Sequence, residues 1–236
     1  MKRVFYVIIL LTLLKCVSCT ARHGSGNLIT QMRGIPADYE ALTVKGVDKL
    51  IIRQTDDYSF KITADDNVLS HIKSKVVNGR LIIEPDKKFS QTDINIELGV
   101  KKIMNAVFNG RTDVVFKNTF YAHDLSISIN GSGSVEFDSL VSDSKVLAVC
   151  NGSGNFTLKG KAKKLIVKTN SSGNVFAENF ISDTMKILIS GSGNVFAHSD
   201  GELNVNIKGS GNVIYGGRPA EITKRISGSG NVKNKN

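Results

Sequence analysis

A Gly-Ser-Gly-Asn signature that recurs at near-constant spacing is the feature that most constrains the fold of this chain. Tetrads of this type begin at Gly131, Gly152, Ser171, Gly191, Gly209 and Gly228, so successive starts lie 21, 19, 20, 18 and 19 residues apart. Repeats of this length are typical of solenoids, in which each repeat forms one coil that packs only on its neighbours. The residues between the tetrads vary while keeping a pattern, which distinguishes the segment from a low-complexity tract.

The residues on both sides of each tetrad alternate in the way expected for strands with one buried face. The sixth, fourth and second positions before a tetrad are mostly aliphatic, as are the first and third positions after it. Around Gly191, for example, these positions hold Met185, Ile187 and Ile189, and then Val195 and Ala197. We therefore predict a strand on each side of every turn, with stacked coils burying one shared aliphatic interior.

The predicted fold is all-β: a parallel β-solenoid, or β-helix-like stack, of coils of about twenty residues. The regular repeats cover about 101–233, and residues 110–113 (Gly-Arg-Thr-Asp) form a degenerate first member. Residues 24–100 are rich in strand patterns but less regular, so they either extend the stack or pack across its end. The strands predicted there are 39–44, 49–54, 58–63, 80–84 and 92–98, with a short helical turn within 68–75.

The tetrads are interpreted as structural turns. Glycine tolerates positive φ and close backbone approach, and asparagine is suited to tight turns and to hydrogen-bonded side-chain ladders along a stack. The residues assigned this role are Gly131, Gly133, Gly152, Gly154, Asn155, Gly173, Asn174, Gly191, Gly193, Asn194, Gly209, Gly211, Asn212, Gly228, Gly230 and Asn231. Calcium is not expected, because the tetrads contain no Asp to supply ligands.

The N-terminus has the pattern of an export signal preceding one domain at 22–233. Lys2 and Arg3 precede an apolar run, 4–14, that is too short to span a bilayer. Two endings remain open. Cleavage after Ala21 would remove 1–21, whereas the Cys-Val-Ser-Cys segment at 16–19 matches a lipoprotein signal that would remove 1–18 and leave Cys19 acylated.

A family resemblance rests on specific segments outside the tetrads as well as on the tetrads themselves. These segments are 64–69 (Ala-Asp-Asp-Asn-Val-Leu), 76–84 (Val-Val-Asn-Gly-Arg-Leu-Ile-Ile-Glu) and 215–219 (Tyr-Gly-Gly-Arg-Pro). Together they resemble the bacterial head GIN domain family of putative auto-transporter adhesins. The resemblance implies an exported β-solenoid-like domain of Gram-negative envelopes and carries over no catalytic residues.

No arrangement of residues in the sequence indicates catalysis, a metal or a cofactor. The four histidines lack ligand spacing, and the alternation places Cys150 in the interior as a structural thiol. Glu136 and Asp138 lie on one face of a strand, which leaves a polysaccharide hydrolase or lyase as the alternative function. Four lysines, at 159, 161, 163 and 164, suit anionic envelope polymers or lipid head groups.

We therefore expect an exported, non-catalytic structural or adhesive module that presents a repetitive β surface. Its expected partners are envelope or host glycans, or envelope proteins, and not nucleic acid, because exposed aromatic residues do not alternate with the basic ones. Its expected location is the periplasm, the outer membrane or the cell surface of a Gram-negative bacterium. Contact with a membrane is expected only through a lipid on Cys19, and the oligomeric state is left open.

Overall fold

A computed structural model describes residues 22–35 and 38–235. The predicted signal, 1–21, and Cys19 lie outside the described residues. In chain order the elements are β1 (Arg22–His23), β2 (Leu28–Met32), β3 (Ala41–Lys45), β4 (Lys49–Gln54), β5 (Ser59–Asp65), α1 (Asp66–Leu69), β6 (Ile72–Val77), β7 (Arg80–Pro85), β8 (Phe89–Ser90), β9 (Asn95–Val100), β10 (Asn105–Gly110), β11 (Asp113–Ala122), β12 (Leu125–Gly131), β13 (Ser134–Ser142), β14 (Lys145–Cys150), β15 (Asn155–Thr169), β16 (Val175–Gly191), β17 (Val195–His198), β18 (Glu202–Gly209), β19 (Asn212–Gly216), β20 (Glu221–Ser227) and β21 (Asn231–Asn234).

Parallel pairing between successive coils arranges these strands in three columns. The first column runs β7, β3, β10, β12, β14, the end of β15, the end of β16, β18 and β20. The second runs β9, β4, the starts of β11, β13, β15 and β16, then β17, β19 and β21. A shorter third column joins the later parts of β11 and β13 to the middle of β15 and β16. The predicted parallel β-solenoid is confirmed.

The core is a set of inward-facing rows with one residue per coil. Leu165, Met185 and Leu203 occupy one register position on adjacent strands, and each is fully buried. A row of aromatic residues fills the corner between the second and third columns, where the Phe116 and Phe137 rings stack with centroids 4.1 Å apart. Stacking is what removes these side chains from water, because a single coil leaves its inner face exposed.

The N-terminal region both extends the stack and closes its end. β3 and β4 pair with β10 and β11, so they form a coil of the solenoid itself. β7 and β9 pair on the other side of β3 and β4, and the antiparallel strands β2, β5 and β6 finish the sheet beyond them. The predicted strand 49–54 matches β4, whereas the helical turn predicted within 68–75 begins earlier, as α1, and gives way to β6.

One polar side chain closes the N-terminal edge of the third column. The Gln54 side chain accepts a hydrogen bond from the Tyr121 N–H at 2.7 Å and donates to the Tyr121 carbonyl at 3.1 Å. It therefore substitutes for a neighbouring strand at that position. The only helix among the described residues is α1, and no helix there is long and apolar enough to cross a membrane.

Candidate functional site

The tetrad turns connect the first column to the second, and their glycines bring successive turns into backbone contact. A Cβ atom on any of them would lie under 3.0 Å from a carbonyl oxygen of the preceding turn, which real Cβ atoms essentially never do. The glycines placed in this way are Gly131, Gly133, Gly152, Gly154, Gly173, Gly191, Gly193, Gly209, Gly211, Gly228 and Gly230. Turn-to-turn hydrogen bonds accompany the contact: the Gly154 N–H donates to the Gly131 carbonyl at 3.0 Å.

Close approach accounts for most of these glycines, and backbone conformation for few. In the six tetrads only Gly209 and Gly228 have positive φ, at 136° and 122°, and Gly110 of the degenerate member has one of 93°. None of the tetrad asparagines has a positive φ, so their tolerance of that region is not what places them there. Of the two reasons given from the sequence for glycine, the approach of neighbouring backbones is therefore the one that operates in most coils.

The tetrad asparagines form a ladder of side-chain amides along one edge of the stack. The Asn155 Oδ1 accepts from the Asn174 N–H at 3.1 Å and Nδ2 at 3.3 Å. The Asn174 Oδ1 accepts from Asn194 at 3.1 Å in both cases, and the Asn194 Oδ1 from Asn212 at 3.2 and 3.0 Å. The Asn231 N–H closes the series on the Asn212 Oδ1 at 3.2 Å. Asn174, Asn194 and Asn212 thus each bond to the coils on both sides, which leaves their amides little capacity for a ligand.

A second ladder, missed by the sequence reasoning, precedes the tetrads. Nδ2 of Asn130 donates to Oδ1 of Asn109 at 2.9 Å, Asn151 to Asn130 at 2.8 Å, and Asn170 to Asn151 at 2.7 Å. The recurrence of Asn immediately before three tetrads was the available signal. Amide ladders therefore flank the turns on both sides, over coils 109–170 on one side and 155–231 on the other.

The carboxylate pair behind the enzyme alternative is engaged by lysines. Glu136 lies 3.1 Å from the Lys159 Nζ, and Asp138 lies 3.4 Å from the Lys117 Nζ. The two acids do share the outer face of the second column, as predicted. Their charges are balanced by lysines of neighbouring coils.

The predicted cluster of four lysines is divided by the path of the chain. Lys159 lies where the second column passes into the third, Lys161 on the third, Lys163 at the corner that follows, and Lys164 on the first column. Neighbours in sequence therefore face different directions, and the segment does not form one basic patch. Only Lys164 joins a larger group of cations, in which Lys168 comes from the same strand and the other members come from the three coils that follow.

We define the cationic face as Lys164, Lys168, Lys186, Lys208 and Arg225 on the outer surface of the first column. These residues come from β15, β16, β18 and β20, and all are exposed. Parallel pairing brings their strands side by side at about 4.8 Å intervals. Lys168 is in register with Leu188, and Ile166 with Lys186, so cations alternate with half-buried aliphatic side chains.

The charges of the cationic face are unpaired, in contrast to those of Lys117 and Lys159, which pair with Asp138 and Glu136. No ion pair within residues 22–35 and 38–235 involves any of its members. Two acids share the surface: Glu221, and Glu202, which accepts hydrogen bonds from Thr184 and Asn204. The face thus carries five cations against two acids, and its cations are free to meet an external anion.

The remaining candidate groups are a buried thiol and a hydrogen-bonded carboxylate. Cys150 is a free, fully buried thiol, which confirms its predicted place, and burial raises its pKa and keeps it protonated and unreactive. Asp200 accepts hydrogen bonds from the Arg218 N–H at 2.8 Å and from His198 at 3.0 Å, and these hold the pKa of its carboxyl below the usual range. The part of the chain that the structure describes contains no cluster of His, Cys, Asp or Glu suited to a metal ion.

Solved structures share this fold at low sequence identity. A putative adhesin from Bacteroides fragilis aligns with a TM-score of 0.83 and 22% identity, over 90% of this chain and 99% of that one. A putative adhesin from Parabacteroides merdae gives 0.72 and 20%, over 92% and 100%. A putative lipid binding protein from Parabacteroides distasonis gives 0.70 and 22%, again over 92% and 100%. Among curated protein sequences, none matches this chain.

A family model agrees with these structural likenesses and with the segments noted in the sequence. The model described as putative auto-transporter adhesin, head GIN domain, matches residues 38–219. That range includes the N-terminal coils as well as most of the tetrad repeats, so the match covers the solenoid and not only its glycine turns. The chain therefore belongs to the head GIN domain family of putative auto-transporter adhesins.

Proposed function

We propose that this protein is an exported, non-catalytic binding module of the cell envelope that uses the cationic face to hold anionic glycans. The observation that carries the proposal is the set of five exposed cations without an ion pair among the described residues, brought together from four strands of the first column. Lys117 and Lys159, by contrast, pair with acids of neighbouring coils. The cationic face is thus a group of positive charges from four adjacent strands that is available for a partner.

The geometry of the face suits a polymer. Strands about 4.8 Å apart present one cation or amide after another along the stack axis. A chain with repeated carboxylates or sulfates can contact several of these groups together, and such multivalency converts weak single contacts into stable attachment. The aliphatic side chains of Ile166 and Leu188 lie between the cations and offer contact area to the apolar parts of a sugar ring.

The adhesive function is also supported by the family to which the chain belongs. The relatives of known structure carry the names putative adhesin and putative lipid binding protein, and neither name denotes an enzyme. The alternative, a solenoid hydrolase or lyase, has less support because Glu136 and Asp138 are each bound to a lysine. Export to the periplasm, outer membrane or cell surface remains part of the proposal.

Binding of the purified protein to polygalacturonate, an anionic polysaccharide, tests this function. We expect the dissociation constant to rise with ionic strength, since exposed charges are screened beyond about 8 Å at physiological salt. Replacing Lys164, Lys168, Lys186 and Lys208 with Gln should weaken binding more than about tenfold, equivalent to about 1.4 kcal/mol. Neutral dextran should not bind.

A variant with the same loss of charge provides the matched control. Lys61, Lys102, Lys117 and Lys159 each form an ion pair, with Glu97, Glu40, Asp138 and Glu136. Their replacement with Gln lowers the net charge by the same amount and leaves the cationic face intact, so binding should change by less than about threefold. Equal losses of affinity in the two variants would show that binding depends on net charge alone and would contradict the cationic face as the binding site.

A further inference from the structure

The last coil of the solenoid has an open strand edge that the proposed function does not use, although Arg225 on the outer surface of its strand β20 belongs to the cationic face. β20 pairs only with β18, and β21 only with β19, so each has one open edge among the described residues. Open edges present rows of N–H and C=O groups to other strands. The inward positions of β20 are also uncovered, since Ile222 is 37% and Ile226 is 45% exposed.

The turn of this coil has, on the same side of the stack, hydrogen-bond acceptors without donors among the described residues. In the preceding coils, the ladder oxygen of each Asn accepts from the Asn of the next coil. The Asn231 N–H donates to the Asn212 Oδ1, but within residues 22–35 and 38–235 no group donates to the Asn231 Oδ1. The Gly209 carbonyl accepts from the Gly230 N–H at 3.0 Å, whereas the corresponding carbonyl of Gly228 accepts no such bond from the described residues. The last coil therefore has an unpaired strand edge, exposed apolar side chains and turn groups that accept no hydrogen bond from the described residues.

We infer that this end binds a second copy of the chain, with β20 pairing antiparallel to β20 of that copy about a two-fold axis at Thr223. Two identical edges related by a two-fold axis meet antiparallel, and the same residues contribute on both sides. Centred on Thr223, this pairing sets Glu221 opposite Arg225 of the second copy, and Arg225 opposite its Glu221. The complementary charges of Glu221 and Arg225 identify the occupant as a copy of the same strand.

Lys224 selects this register over its neighbour. In an antiparallel pair, the apolar sides of both strands share one face only in registers that set inward-facing residues opposite inward-facing residues. The next such register in one direction is centred on Lys224 and sets this residue against itself, which is unfavourable for like charges. The register centred on Ile222 sets Glu221 opposite Thr223 and loses both charge pairs. Lys224, an inward-facing lysine on an open edge, therefore disfavours the register centred on itself and permits the register centred on Thr223.

Charge reversal tests this interface by sedimentation of the purified protein. The wild type should form a dimer, and Glu221→Arg and Arg225→Glu should each be monomeric, because each creates like-charge pairs. An equimolar mixture of the two variants should form a heterodimer, since both facing positions would then set an arginine of one variant against a glutamate of the other. The double variant Glu221→Arg/Arg225→Glu should dimerise again. Lys168→Glu, which changes the net charge by the same two units as Arg225→Glu but lies away from the edge, should remain a dimer.

Three results would overturn the inference. The first is a wild type that is monomeric across the accessible concentration range, and the second is a dimer that survives both single reversals. The third is a pair of monomeric single variants that fail to associate when mixed, because the proposed register predicts their complementarity. Circular dichroism of each variant checks folding, which both reversals should leave unchanged because Glu221 and Arg225 are exposed.

Discussion

The N-terminal coils and the tetrad coils occupy the same columns, yet they are closed by different turns. β3 and β4 are joined by a short turn at 46–48, whereas β7 and β9 are separated by β8 and a longer loop. The tetrad coils repeat one tight glycine turn with an amide ladder beside it. Both regions nevertheless bury the inward residues that lie between coils, as Leu42 and Leu165 show. The shared interior therefore specifies the stack, and the turn chemistry can vary around it.

The ladder shows why asparagine, and not aspartate, accompanies the regular turns. An amide both donates and accepts, so it can bond to the coil on each side, whereas a carboxylate only accepts. Asp113 stands at the equivalent position of the degenerate repeat, where its Oδ1 accepts from the Ser134 N–H at 3.0 Å and Oγ at 2.7 Å. A carboxylate can thus end such a series but cannot continue it.

The largest expected effect concerns the shared interior. Leu42→Ala in β3 and Leu165→Ala in β15 should each lower the free energy of unfolding by about 3 kcal/mol, because both leave a cavity in a closed core. Denaturant unfolding of the two variants measures this directly. A much smaller loss for Leu42→Ala would break the comparison, since it would place the N-terminal coil outside the cooperative core.

A smaller effect is expected for the glycine turns. Gly173→Ala should lower the free energy of unfolding by about 2 kcal/mol, because the new Cβ would collide with the Gly154 carbonyl and the Cys150 Sγ. Gly34→Ala is the matched control: its Cβ would meet no heavy atom within 4 Å, and its φ is not positive, so the change should stay within about 0.5 kcal/mol. Similar melting temperatures for the two variants would show that coils can separate at the turn without cost.

The smallest effect is expected for the ladder. Asn194→Ala removes the Oδ1 that accepts hydrogen bonds from the Asn212 N–H and Nδ2, and the Nδ2 that donates to Asn174. The substitution should lower the free energy of unfolding by about 1 kcal/mol. Asn206→Ala removes a half-buried amide whose side chain forms no hydrogen bond with the described residues, and should be nearly neutral. Thermal unfolding measures the stability of both variants. Equal stabilities would show that the ladder is a result of coil stacking and does not stabilise it.

Much of the fold was predictable because the small turn residues recur in the sequence at the length of one coil. The positions of Met185 and Val195 relative to the tetrad predicted strand, face and register together, since alternation and coil length both had to be satisfied. The order of the N-terminal coils was not predictable. Parallel pairing of β3 with both β7 and β10 depends on contacts between distant segments, and no local pattern in 38–100 records them.

The candidate site was less accessible than the fold. Lys159 and Lys164 are close in sequence but face different sides, because each coil turns the chain through all its columns. Lys168 and Lys208, by contrast, are far apart in sequence and share a face only once the register is known. Ion pairing across coils, such as Lys159 with Glu136, likewise requires the stack and cannot be predicted from spacing alone.

The placement of β3 and β4 between two other coils has a consequence for assembly. The earliest solenoid strands of the chain become an internal layer, covered on one side by β7 and β9 and on the other by β10 and β11. The stack therefore cannot grow in a single direction as the chain is synthesised. It adds β7 and β9 to one side of its first coil and then β10 and β11 to the opposite side, so the chain must cross the first coil before the tetrad coils can form.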